Sequence, residues 1–258
     1  MKKNRIIWGI VALVVLLTIA VSFGTKSSYS QKENSNKQNN DGYGDLSKYA
    51  VADYDAPLPV NTAERDDRIR KNNRYDKQDW VVKKPHPEDG GVGLFDEIPP
   101  VPLIPDAESD LIIVGKVTNA AAYLSNDKTG IYSEFTVEIK QILKNNISKD
   151  IESGKTIITD RAGGFVRYSN GQKVLYTNST KALPYTGGNF LFFLRNDKNS
   201  PNYEIITVFE LKGNKVIQLD FGRRFDEFQN FGISAFLETV RNKIAESSNN
   251  KQPERSYE

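Results

Sequence analysis

Arg161, Arg167, Tyr168, Tyr176 and Tyr185 are the one constellation in this sequence whose residue types, cations with aromatics, suggest a binding surface. They fall on consecutive expected strands or turns. On a small barrel, cations and aromatics in that arrangement can form a groove that binds an oligonucleotide or oligosaccharide by stacking and charge. The competing reading is an ordinary strand surface, because Tyr is common there through β-propensity alone. Other chemistries are narrower still. The chain has no Cys, which excludes thiol catalysis, Cys-ligated zinc, Fe–S clusters and disulfide staples. Its single His, His86, lies in Lys83-Lys84-Pro85-His86-Pro87, a polar Pro-flanked stretch expected to be an exposed loop. One His cannot build a multi-His metal site, so neither a metal centre nor a cofactor is expected. Paired carboxylates for glycoside hydrolysis need a separation in space that sequence does not give, and the acids here are scattered.

Several short motifs imitate known signals. Leu183-Pro184-Tyr185-Thr186-Gly187 matches the LPxTG sorting sequence letter for letter. No apolar helix and basic tail follow it, so it is expected to be a turn before a core strand. Asp220-Phe221-Gly222 has no accompanying phosphate-cradling Gly loop or kinase catalytic loop. Gly90-Gly91-Val92-Gly93 lacks the preceding strand and following Lys-Ser/Thr of a phosphate loop.

The elements that must hold these residues begin outside the main domain. Lys2, Lys3 and Arg5 precede an uncharged run from Ile6 to Phe23, 18 residues long. As a helix it spans about 27 Å, close to the hydrocarbon thickness of a bilayer. Residues 1–24 are therefore expected to be a transmembrane signal anchor, or alternatively a signal peptide cleaved after Ser22. The flanking charge puts the remainder of the chain outside the cytoplasm. Residues 25–44, rich in Ser, Asn, Lys and Gln, are expected to form a disordered linker, because they hold too little apolar surface to offset ordering entropy. Residues 45–98 form an irregular charged segment. Within it Thr62–Tyr75 is expected to be a solvated helix carrying the i,i+4 pairs Glu64/Arg68, Asp66/Arg70 and Asp67/Lys71. Trp80-Val81-Val82 is expected to add a short strand. Pro99 to Pro105 makes an extended, polyproline-like arm.

Residues 99–220 are mainly β in pattern. Leu111–Val114 is apolar on both faces, and Phe135, Val137, Ile139 and Leu143 alternate with Glu134, Glu138 and Lys140. Asn189–Leu194 is the most apolar strand, and short strands with Gly turns between them point to a barrel or sandwich. After Gly222 the period changes. Ile233, Phe236, Leu237, Val240 and Ile244 share one helical face, so residues 221–258 are expected to be an amphipathic helix and tail. The segments Asp110–Thr118, Gly130–Lys140, Ile142–Lys144, Arg161–Gly164 and Asn189–Leu194 carry a resemblance. They resemble a group of uncharacterised exported bacterial proteins whose small β-barrel core is similar to OB-fold and netrin-like modules. The resemblance covers Pro99 to Asp220; it implies a fold and assigns no catalytic residue.

The whole-chain charge of +2, from 35 basic and 33 acidic residues, does not supply the strong positive field typical of nucleic-acid binding. The expectation is a membrane-tethered extracytoplasmic protein acting as a non-enzymatic binding or envelope-structural module. Its partner would be a cell-envelope glycan or another envelope protein. The alternatives are a carboxylate-dependent envelope hydrolase, or an envelope-protease inhibitor that uses the Pro99–Pro105 arm.

Overall fold

The computed structural model describes residues 46–85, 102–147, 150–178, 181–196, 200–220 and 231–249, together with the backbone of 92–95. The N-terminal apolar run, the polar linker, His86, residues 99–101 and the C-terminal tail lie outside the described residues. Residues Asp45–Glu258 belong to one compact unit. No helix among the described residues is long and apolar enough to cross a membrane.

The fold is mainly β with a C-terminal helix. In chain order the elements are β1 (Val51–Asp53), α1 (Thr62–Asn72), β2 (Val92–Phe95), β3 (Leu111–Leu124), β4 (Ile131–Asn145), β5 (Thr156–Ala162), β6 (Gly164–Arg167), β7 (Lys173–Asn178), β8 (Asn189–Asn196), β9 (Tyr203–Lys212), β10 (Lys215–Gln218) and α2 (Ile233–Asn249). The larger sheet runs β10-β9-β5-β4-β3-β8, and β8 also pairs with β9. Five strands therefore pair in a circuit, but its seams are uneven. The β3–β4 hairpin is long, whereas the parallel β5–β9 seam holds only at Thr159/Tyr203 and Asp160/Glu204. The smaller sheet runs β1-β6-β7-β2.

Gly163 separates the two sheets. It adopts φ +110° between β5 and β6, and a Cβ there would lie 2.9 Å from the Tyr176 carbonyl oxygen. Any L side chain would be both strained and crowded at this turn. The chain then leaves the large sheet to form the β6–β7 hairpin. The alternation expected in β4 holds for Phe135, Val137 and Ile139, all buried. Leu143 departs from it. Between Ile112 and Ile113 the partner on β4 jumps from Lys144 to Ile142, so Leu143 is the extra residue of a bulge. A second shift, between Val114 and Gly115, leaves Lys140 unpaired between Ile139 and Leu143, and Leu143 packs against the α2-facing cluster, because a bulge re-aims the side chains that follow.

The α2 stripe forms as its spacing predicts. Phe236, Leu237 and Val240 are buried against Ile112, Leu191, Phe193 and Phe209, with Ile233 and Ile244 packed at the edges. Leu103 and Ile104 join this cluster, so the end of the Pro-rich arm is docked on the fold. Trp80–Val82 forms no strand. Lys77 and Asp79 sit at φ 63° and 56°, which interrupts extended backbone, and the Trp80 and Val81 N–H groups both donate to the Thr129 carbonyl.

Candidate functional site

The five residues singled out by sequence separate in the fold. Tyr168 and Tyr176 come together: their hydroxyls lie 2.7 Å apart, and the Tyr168 hydroxyl reaches the Val82 carbonyl oxygen. Both rings are buried in the core of the small sheet, so neither presents a face for stacking. Burial and the shared hydrogen bond push the Tyr168 hydroxyl well above the usual phenol range. Arg167 is exposed and pairs with Asp53. Tyr185 packs edge-on to Phe190 and hydrogen-bonds Glu210. Burial and that carboxylate raise its hydroxyl as well.

Arg161 has a different setting. It is 3% exposed, and its guanidinium holds Asp220 bidentately at 2.7 and 2.9 Å. The same guanidinium donates to the carbonyls of Ala182 and Ile206. It thereby fills the gap that opens where the β5–β9 pairing stops. Asp220 is fixed from a second side by the Thr207 hydroxyl. A cleft of about 120 Å³ lies at this splayed seam. Arg161 and Ala162 of β5 and Glu204 and Ile205 of β9 form two walls; Arg74 and Tyr75, Asn178 and Lys181 close the remainder.

Next to the cleft, α1 lies across the outer face of β4 and β5. Asn61 caps its first turn by accepting from the Ala63 and Glu64 amides. Glu134 and Asp160 are register partners on these strands and point to the same face. Arg68, Lys71 and Arg74, three residues apart, line one side of the helix and of the single 3-10 turn that follows it. Arg68 reaches Glu134 at 3.0 Å, Lys71 reaches it at 3.4 Å, and Arg74 reaches Asp160 at 2.9 Å. Asn202 donates to Glu134 at 2.9 Å, and the Tyr75 hydroxyl donates to Asp160 at 3.3 Å. Tyr75 stacks on Tyr132 with centroids 4.4 Å apart, and the Arg68 guanidinium lies 3.3 Å from the Tyr123 ring centre. Burial raises the Asp160 carboxyl above the ordinary carboxylate range, outweighing the opposing pull of Arg74.

The solvated helix expected from sequence is thus half an interface. Of the three intrahelical pairs anticipated, Asp67–Lys71 forms at 3.2 Å; Arg68 turns to the sheet and Arg70 pairs with Asp67. Glu134 and Asp160 are two carboxylates brought side by side, yet each already accepts from cations and neutral donors. Among the described residues no group of three or more His, Asp or Glu could hold a metal.

The chain matches no protein-family model and no curated protein.

Proposed function

We propose that this chain is a membrane-tethered extracytoplasmic binding module, non-enzymatic, built on an OB-like barrel. The observation that carries the fold part is the strand circuit β3-β4-β5-β9-β8, closed by antiparallel β8–β3 pairing and containing one parallel seam. An OB barrel is a five-stranded, partly open circuit whose second and third strands face the ligand. Here those strands are β4 and β5, and the cleft lies at the end of β5. The tether is supported by the charge-flanked apolar run Ile6–Phe23.

A binding role is favoured over hydrolysis by the state of the two adjacent carboxylates. A catalytic pair needs room for substrate between acid and base. Glu134 and Asp160 instead lie beneath α1, engaged by Arg68, Lys71 and Arg74. A protease-inhibitor role draws less support, since Leu103 and Ile104 are docked on the core. The partner on this reading is a cell-envelope component.

The test is intact mass and fractionation of the native protein, with protease added outside intact cells. The reading predicts a full-length chain in the membrane fraction, with residues 45–258 removed by external protease. A soluble, protease-shielded chain of full length would overturn it.

A further inference from the structure

We propose that α1 and the 3-10 turn behind it form a strap that lifts as one unit from the outer face of β4 and β5 while the barrel stays folded. The strap is a property of the fold and stands whether or not the binding-module reading does. Both buried residues of α1, Lys71 and Asn72, are polar, and its largest apolar side chain, Ile69, is 39% exposed. No apolar burial therefore holds the helix down. A helix of 11 residues is marginal in water by itself, so its attachment comes from the interface. That interface is ionic and polar. Arg68 and Lys71 meet Glu134, Arg68 donates to the Tyr132 hydroxyl at 2.8 Å, and that hydroxyl donates to Asn72 at 2.9 Å. Largely buried ion pairs return little net stability, because desolvation offsets most of the Coulomb gain. Tyr75, stacked on Tyr132, is the single apolar catch of the strap. A segment with so little apolar burial opens well before a barrel whose interior is apolar.

The two ends of the strap are tied differently. Ahead of it, Pro57–Val60 makes no hydrogen bond among the described residues and leaves Leu58 46% and Val60 97% exposed. Nothing there resists movement. Behind it, Asp76 accepts from the Asn126 amide, and the Lys77 and Gln78 amides donate to Asp127 and Thr129. A free leading end and a pinned trailing end make residues 76–78 the hinge. Closed, the strap leaves Glu134 and Asp160 8% and 0% exposed; lifted, it bares these two register partners with Tyr132 beside them. The strap thus gates the outer face of β4 and β5.

The chain has no Cys, so one introduced thiol reports one position. Asn72→Cys lies on the strap and Asn202→Cys on the barrel side; these positions are 4% and 2% exposed and touch Tyr132 and Glu134 respectively. Val137→Cys, at a fully buried barrel position, reports global unfolding. Thiol labelling is followed in the full-length chain in detergent micelles, with each rate scaled to that of the urea-unfolded variant. The proposal predicts similar rates at 72 and 202, both at least about 100-fold faster than at 137. Each thiol also removes a polar contact, so amide exchange is read in the unsubstituted chain alongside. Residues 66–72 should exchange at least about 100-fold faster than residues 135–139. Labelling at 72 and 202 no faster than at 137, or amides 66–72 as slow as 135–139, would overturn the proposal. Fast labelling at 72 with 202 shielded would overturn it too, because a fraying helix over a closed face gives that result.

Discussion

Replacing Glu134 of β4 with Ala should loosen α1, which lies over it. Glu134 is the shared acceptor for Arg68 and Lys71, with side chains 10%, 15% and 9% exposed respectively. Removing it leaves two largely buried cations facing one another and the Asn202 amide without its 2.9 Å acceptor. Breaking a buried ion pair by deleting one partner costs about 3–5 kcal/mol. The loss is capped because α1 can lift and rehydrate its cations, forfeiting chiefly the Tyr75–Tyr132 stack, worth about 0.5–1.5 kcal/mol. A net destabilisation of about 2–4 kcal/mol is expected. With a urea m-value of about 2–3 kcal/mol/M, the midpoint falls by about 1 M. Glu134→Gln keeps an acceptor for Arg68 and Asn202 and should lose about half as much. Replacing Arg68, Lys71 and Glu134 together with Met, Leu and Leu should recover most of the loss, since apolar substitutes for a buried ion cluster are often neutral or better. Urea unfolding with amide exchange over residues 62–75 reads all three variants. A loss below about 0.5 kcal/mol for Glu134→Ala, with unchanged exchange in α1, would refute the claim that this cluster holds the helix.

Gly130→Ala would place a Cβ 2.0 Å from the Tyr75 carbonyl oxygen, so the backbone must move. A loss of about 1–3 kcal/mol is expected, with faster exchange at residues 73–75, read by the same unfolding assay. Phe236→Ala removes a fully buried ring lying 5.0 Å from Phe209 and should cost about 3–5 kcal/mol; thermal melts with exchange over α2 would register it. Asp127 is exposed and only slightly desolvated, which works against its carboxylate, but hydrogen bonds from Ser125, Thr129 and the Lys77 amide outweigh this and hold its pKa below the ordinary 3.8. The stability contributed by this turn is therefore fully present above pH 3.8 and is lost as pH falls through the lower folded value. NMR shifts of the Lys77 and Thr129 amides should titrate below pH 3.8 in the native chain and stay flat in Asp127→Asn.

Much of the scaffold was legible because its signals are local. The α2 stripe is a single 3.6-residue period, and the interiors of β4 and β8 are period-two or wholly apolar runs; each needs only its own residues to be read. The misreadings have a common cause in partners that lie far away along the chain. Arg68, Lys71 and Arg74 look like a solvated face until Glu134 and Asp160, more than 60 residues on, are placed opposite. Tyr168 and Tyr176 look like surface residues until the small sheet is closed over them by β1 and Val81. Leu143 followed the expected alternation on paper, but a bulge, which has no compositional mark here, changes its face. Of the candidate site, Arg161 alone was anticipated. Arg74, Lys181 and Glu204 come from three separate segments, and only the short parallel seam brings them to one cleft.

The central claim is binding without turnover, and one incubation tests it. Full-length chain in detergent is equilibrated with purified native envelope polymer, and bound protein and released soluble fragments are measured together over time. The account predicts saturable binding with no growth of fragments, unaffected in that respect by Glu134→Gln or Asp160→Asn. Steady release of fragments, abolished by either substitution, would contradict it and make the two carboxylates a catalytic pair.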